Sequence, residues 1–224
     1  MAVILQIETT TTNCSVAISK EGKTIALKEK RDQKYIHAES LHTFIKEALQ
    51  DASLSLKQLD AVAVSEGPGS YTGLRIGVSS AKGLCYALEK PLIGVPTLEI
   101  LARQLPIETG YLIPMLDARR MEVYTSVFNA AYELIKPTWA EIITENSFQN
   151  ELSAGTVHFL GNGVLKCLEV LKNSNAVFHE DIDLPSANEM SSIAFKKFKT
   201  GNFDNVAYFE PYYLKDFIAT KPKK

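Results

Sequence analysis

Ser65-Glu66-Gly67-Pro68-Gly69-Ser70-Tyr71-Thr72-Gly73-Leu74-Arg75-Ile76-Gly77 is the stretch that decides how this chain is read. It follows an apolar run, Ala61-Val62-Ala63-Val64, and leads into a helical pattern that continues to about residue 88. The spacing predicts a strand, a glycine loop and a helix. Such a junction presents backbone N–H groups and a helix N-terminus, which suits an anion. Two familiar phosphate loops do not fit. No Gly-Lys-Ser or Gly-Lys-Thr closes the run, and Gly67, Gly69 and Gly73 give G-x-G-x-x-x-G, one residue longer than the dinucleotide fingerprint.

Within the helix, Gly73, Gly77 and Ala81 recur every four residues and stack along one face. Leu74, Val78, Ala81, Cys85 and Leu88 form an adjoining apolar seam. An interior glycine costs a helix roughly 1 kcal/mol relative to alanine. Gly73, Gly77 and Gly83 therefore call for an offset. Close approach of another backbone is the usual one, either inside the chain's own core or on a second protein.

The 224 residues suffice for a large core in one domain or two lobes. A hydrophobic content of 46% and a charged content of 22% are those of an ordinary globular protein. The net charge of −2, without a long basic block, argues against non-specific nucleic-acid binding. The Lys215–Lys224 tail carries four lysines and reads as a solvated end rather than an RNA arm. No apolar run approaches the ~18 residues of a membrane span, and no signal-peptide pattern opens the chain. Cys14, Cys85 and Cys167 are odd in number and widely separated, which excludes a disulfide framework and fits a reducing cytoplasm.

Two halves share one plan. Ala2 to Ile7 runs into Glu8 and a Thr-rich turn, Thr9 to Thr12, followed by a hairpin around residues 20–23 and a helix over about His37 to Ala52. Tyr111 to Leu116 likewise runs into Asp117 and a turn, followed by strands over Glu122–Phe128 and Ile135–Ile142. Later, Val157–Leu160 meets Gly161-Asn162-Gly163 and a segment expected to be helical through Leu171; a last helix is expected near Ala187–Lys199. Glu8 thus corresponds to Asp117, and Gly67 and Gly69 to Gly161 and Gly163. The repeat predicts an α/β protein of two similar lobes, 1–105 and 106–224, facing one cleft, with mixed sheets flanked by helices.

The opening Ile4-Leu5-Gln6-Ile7-Glu8-Thr9, the glycine motif from Gly67 to Gly77, Gly94-Val95-Pro96-Thr97-Leu98-Glu99, Asp117-Ala118-Arg119 with Glu122-Val123-Tyr124, and Pro211-Tyr212-Tyr213-Leu214 resemble the bacterial TsaB proteins. The likeness is dense over the first 125 or so residues and thin beyond. It implies the two-lobed actin/sugar-kinase/heat-shock-protein-70 fold, built of duplicated ribonuclease H-like lobes with the second shortened. It also implies a cytoplasmic role in forming threonylcarbamoyladenosine beside the anticodon of tRNAs reading codons that begin with A. By the same resemblance the chain is a non-catalytic partner of TsaD, which holds the metal and transfers the threonylcarbamoyl group. An ATPase, TsaE, acts on the assembled pair, and tRNA is met only indirectly. Relatives commonly have Asp where this chain has Glu8, so a retained nucleotide site is not expected; no cofactor is, beyond weak nucleotide binding.

His37 and His42, at i,i+5, sit about 140° apart around a helix and chelate poorly; no metal centre is expected. No G-x-S-x-G elbow occurs, which leaves a peptidase as a remote alternative. An ATP-dependent kinase or ATPase is the nearer one, with Glu8, Gly67, Gly69, Asp117, Arg119, Gly161 and Gly163 lining a vestigial cleft. Outside a cleft, Glu8 and Asp117 are expected to close strand-end turns by accepting backbone N–H groups, or Asp117 and Arg119 to form a local ion pair fixing the turn. The docking surface is expected to combine Leu41, Phe44, Ile45 and Leu49 of the first helix with Gly73, Leu74, Gly77, Val78 and Ala81 of the glycine helix, supporting a homodimer when TsaD is absent. A leucine at Gly77 should then block pairing and spare the fold.

Overall fold

Val3-Ile4-Leu5-Gln6-Ile7 is apolar at nearly every position, a pattern that requires cover on both faces of a strand. The computed structural model describes residues 1–32 and 37–215. In it β1 (Val3–Glu8) is buried along its whole length at the centre of a five-stranded sheet. The chain continues through β2 (Asn13–Lys20), β3 (Lys23–Arg31), α1 (His37–Asp51), β4 (Ala61–Gly67), α2 (Tyr71–Leu88), β5 (Leu92–Pro96) and α3 (Thr97–Ala102). The second half comprises β6 (Tyr111–Asp117), β7 (Glu122–Asn129), β8 (Leu134–Ile142), α4 (Gln149–Ala154), β9 (Val157–Leu160), β10 (Ala176–His179) and α5 (Met190–Lys199).

The sheets are ordered β3-β2-β1-β4-β5 and β8-β7-β6-β9-β10, with the same mixture of antiparallel and parallel pairs. This is the duplicated two-lobed architecture that the internal repeat and the resemblance imply. Val3, Leu5 and Ile7 face α1 and α2, whose Leu41, Ile45, Leu49, Val78 and Ala81 complete that layer. Each such residue, once fully buried, contributes roughly 1.5–3 kcal/mol.

The halves interlock. α3 follows the first sheet yet buries Leu98, Leu101 and Ala102 against Leu112, Leu116 and Phe128 of the second. α5 follows the second sheet yet buries Met190, Ile193 and Ala194 against Ile4, Ala17 and Ile93 of the first. Beyond α5 the chain returns to the first half. Asp204 bridges to Leu92 on the β5 edge, the Gly94 N–H donates to the Asp204 carboxylate at 2.7 Å, and the Tyr212 N–H donates to the Glu66 carbonyl at 2.7 Å. The strip covers a strand edge that would otherwise expose its backbone groups.

Two expectations fail. Residues 161–171 form successive turns instead of a helix. The Gly161 and Gly163 N–H groups bond to the carbonyls of Ile182 and Met115, outside the segment, and Val164→Gly161, Cys167→Val164 and Val170→Cys167 bonds span three residues. The segment still buries Val164, Cys167 and Leu171, so its apolar spacing imitates a helix. The last helix starts at Met190, not near Ala187. The short α3, α4 and β10 lack a periodic run long enough to show in sequence. The readings of the His37 side chain and of residues 216–224 fall outside the described residues. Among the described residues no helix is long and apolar enough to cross a membrane.

Candidate functional site

The residues singled out as a cleft gather at the carboxyl ends of β1, β4, β6 and β9, but the arrangement is closed. Glu8, the last residue of β1, is completely buried. Its carboxyl turns back, with Oε1 accepting from the Thr10 N–H at 2.6 Å and from the Thr10 hydroxyl at 2.5 Å. Oε2 makes no hydrogen bond. The Ser65 hydroxyl, which shares a 2.7 Å hydrogen bond with the Thr97 hydroxyl, and the Thr10 groups pull the carboxyl's pKa down. Desolvation dominates and holds Glu8 above the usual carboxylate range. The additional methylene of Glu8 therefore does not carry the carboxylate into a cleft: the side chain is folded under the Thr-rich turn and accepts a backbone N–H there.

The glycine loop is packed on that same turn. The Ser70 N–H donates to the Thr10 carbonyl at 2.7 Å, and the Gly73 N–H to the Ser70 hydroxyl, the helix N-cap, at 3.3 Å. A Cβ at Gly69 would meet Thr10 at 2.6 Å, and one at Gly73 would meet the Thr9 carbonyl oxygen at 2.0 Å. Gly67, at φ +115°, lies against the Tyr212 carbonyl. The Ser70 and Gly73 N–H groups are thus taken by the chain itself. Gly161 and Gly163 lie against Met115 in the same way.

Asp117 is exposed at the end of β6, 2.6 Å from the Lys166 ammonium. It also accepts the Arg119 N–H at 2.7 Å, and its own N–H donates to the Asn162 side chain at 2.8 Å. The expected Asp117–Arg119 ion pair is replaced by one with Lys166, because Arg119 adopts φ +69° and Arg120 φ +49°. That backbone aims the Arg119 amide, not its guanidinium, at the carboxylate. Lys166 also donates to the carbonyls of Arg120, at 2.9 Å, and Glu122. The signal sequence reading missed is Lys166, whose place beneath this turn follows only from the failed helix.

The predicted docking residues are placed differently from expectation. Leu41, Ile45, Leu49, Gly73, Leu74, Gly77, Val78 and Ala81 are buried inside the chain, and Phe44 is partly so. Gly77 has its Cβ position 2.2 Å from the Thr9 hydroxyl oxygen. These positions are interior and present no surface for a partner; the outward face of the same helices carries other residues. There α1 exposes His42, Thr43, Lys46 and Gln50, and α2 exposes Ser79, Gly83 and Tyr86, the last at 83%. Nothing stands within 4 Å of a Cβ at Gly83.

Among the described residues no three His, Cys, Asp or Glu side chains converge as metal ligands. His158 and His179 contact each other at 3.0 Å. The three thiols are buried and free, and burial pushes Cys85 to about 12 and Cys14 and Cys167 to about 11. Two cavities, about 450 Å³ beside Arg103, Tyr132 and Glu189 and about 330 Å³ beside Trp139 and Phe148, lie away from Glu8 and Asp117.

Comparison with known proteins bears on this geometry. The family model described as TsaD, tRNA N6-adenosine threonylcarbamoyltransferase, matches residues 32–220. The chain is 32% identical to the tRNA threonylcarbamoyladenosine biosynthesis protein TsaB of Escherichia coli (strain K12), over 97% of this chain and 96% of that protein. It is 28% identical to the TsaB of Haemophilus influenzae, over 97% and 95%. A crystal structure of an uncharacterized Pseudomonas aeruginosa protein with similarity to peptidase YEAZ superposes with a TM-score of 0.85 at 26% identity, covering 96% of this chain and all of that one.

Proposed function

The chain belongs to the TsaB family of tRNA threonylcarbamoyladenosine biosynthesis proteins, and from that premise we propose that it is a non-catalytic cytoplasmic subunit of tRNA threonylcarbamoylation. It docks through the outward faces of α1 and α2 to a TsaD-type catalytic subunit, on which a TsaE-type ATPase acts. In isolation it pairs with a second copy through the same face. It needs no cofactor of its own.

Gly83 carries the docking reading. Gly73 and Gly77 have an internal reason, the Thr9 backbone and side chain against which they lie. Gly83 has open space above it on an exposed helical face beside Ser79 and Tyr86. A glycine that weakens a helix by roughly 1 kcal/mol without an internal contact fits close approach by another helix. The non-catalytic reading is supported by the two lobe acids. Glu8 is sealed beneath Thr10, and Asp117 is neutralised by Lys166, so neither presents a free carboxylate for Mg²⁺.

The test is reconstitution of tRNA threonylcarbamoylation from TsaD, TsaE, threonylcarbamoyl-adenylate and tRNA, with this chain, without it, and with Gly83→Trp. Activity should require the chain and be lost with Gly83→Trp, while the variant keeps the wild-type melting temperature. Undiminished activity without the chain overturns the subunit reading; undiminished activity with folded Gly83→Trp overturns the docking face.

A further inference from the structure

Away from the docking face, the chain assembles a basic and aromatic strip across the mouth between its halves. Tyr213 packs on Tyr71 at the start of α2, with ring centroids 5.1 Å apart, and the Arg75 guanidinium lies 5.4 Å over the Tyr71 ring. Two residues beyond Tyr213, a span of at most about 7 Å, Lys215 binds the Glu122 carboxylate of the second half. Glu122 in turn closes the turn that carries Arg119 and Arg120, its N–H donating to the Arg119 carbonyl. Tyr124 feels both Lys215 and Arg119.

The charge of this patch is one-sided. Among the described residues its acids are Asp117, Glu122 and Glu210; Lys166 holds the first and Lys215 the second, and Glu210 acts on Tyr213 together with Arg75. Arg75, Arg119 and Arg120 are exposed and take part in none of the ion pairs among the described residues. Arg119 and Arg120 both occupy the left-handed backbone region where glycine and asparagine are the usual residues. Two arginines kept there, with Lys166 bracing the turn from beneath, present their guanidiniums outward. Tyr212 and Tyr213 are each more than 40% exposed.

We propose that this strip, Arg75, Tyr71, Tyr213, Lys215, Arg120 and Arg119, binds an RNA strand directly, the arginines contacting phosphates and the tyrosine rings stacking on unpaired bases. Arginine-flanked aromatics are the chemistry of single-stranded RNA recognition. The proposal rests on the reading that the chain works in tRNA modification and departs from the expectation that tRNA is met only indirectly. It is independent of how α1 and α2 dock.

The test is fluorescence anisotropy of an unmodified, end-labelled tRNA transcript titrated with the full chain at increasing salt. Log affinity should fall linearly with log salt. Arg119→Gln with Arg120→Gln should reduce that slope by about 1.4, from ~0.7 per single-strand phosphate contact, with roughly tenfold weaker binding at low salt. Arg119→Lys with Arg120→Lys should keep the slope. Tyr213→Ala should weaken binding at every salt concentration without changing the slope. An unchanged slope in the glutamine double variant overturns the proposal. So does a variant that binds the transcript normally but loses a protein partner, which would assign the strip to an acidic protein surface. Because the titration uses the chain alone, failure of the docking face leaves this slope unchanged and is told apart from failure of the RNA contact.

Discussion

The Thr9 hydroxyl donates to the Gly73 carbonyl at 2.8 Å, and the Thr9 carbonyl oxygen occupies the space a Gly73 side chain would need. The turn after β1 is thereby pressed directly onto the first turn of α2.

The three helical glycines should consequently respond in opposite directions. Gly73→Ala and Gly77→Leu should each destabilise the fold by about 1–3 kcal/mol or more through overpacking against Thr9, so Gly77→Leu is not the clean interface probe that the sequence alone suggests. Gly83→Ala should stabilise the isolated chain by about 0.5–1 kcal/mol, or about 2–4 °C for each kcal/mol in a protein of this size. Thermal melts of the three variants check the order.

Glu8 should make stability depend on pH in an unusual sense. Its folded pKa lies above the unfolded value of 4.5 because burial penalises the charged form. Between those two values the folded state holds more protons than the unfolded state, so this group's contribution declines as pH rises above about 4.5. Glu8→Gln should narrow that decline. The variant should gain on wild type from pH 4 towards pH 7 in urea unfolding, and a constant difference across that range would refute the assignment.

The thiols should be silent in the native state. Cys14, Cys85 and Cys167 are buried with pKa values of about 11 to 12, so almost no thiolate exists at pH 8. Titration with a thiol reagent at pH 8 should give negligible native labelling and full labelling of three thiols in denaturant.

Lys166 should matter more than the carboxylate it neutralises. It ties Asp117, the Arg120 carbonyl and the Glu122 carbonyl together. Lys166→Met should cost about 1–3 kcal/mol by leaving these groups unmatched. Asp117→Asn, at a half-exposed pair, should cost less than about 1 kcal/mol. Paired urea denaturation curves decide between them.

Sequence by itself determined the two-lobed plan. The apolar runs of β1 and β6, each closed by an acid and a turn, and the glycine helix from Tyr71 to Leu88 are local patterns, and strand and helix periodicities are legible wherever one face must be apolar. Tertiary structure decided what those patterns serve. Leu41, Ile45, Val78 and Ala81 read equally well as core or interface, because burial against a sheet and burial against a partner demand the same side chains. Only the position of Thr9 assigns Gly73 and Gly77 to the interior and leaves Gly83 outside. Lys166, Tyr213 and Arg119 lie far apart in the chain, and their charges and rings come together only because the two halves exchange helices and the last residues cross between them.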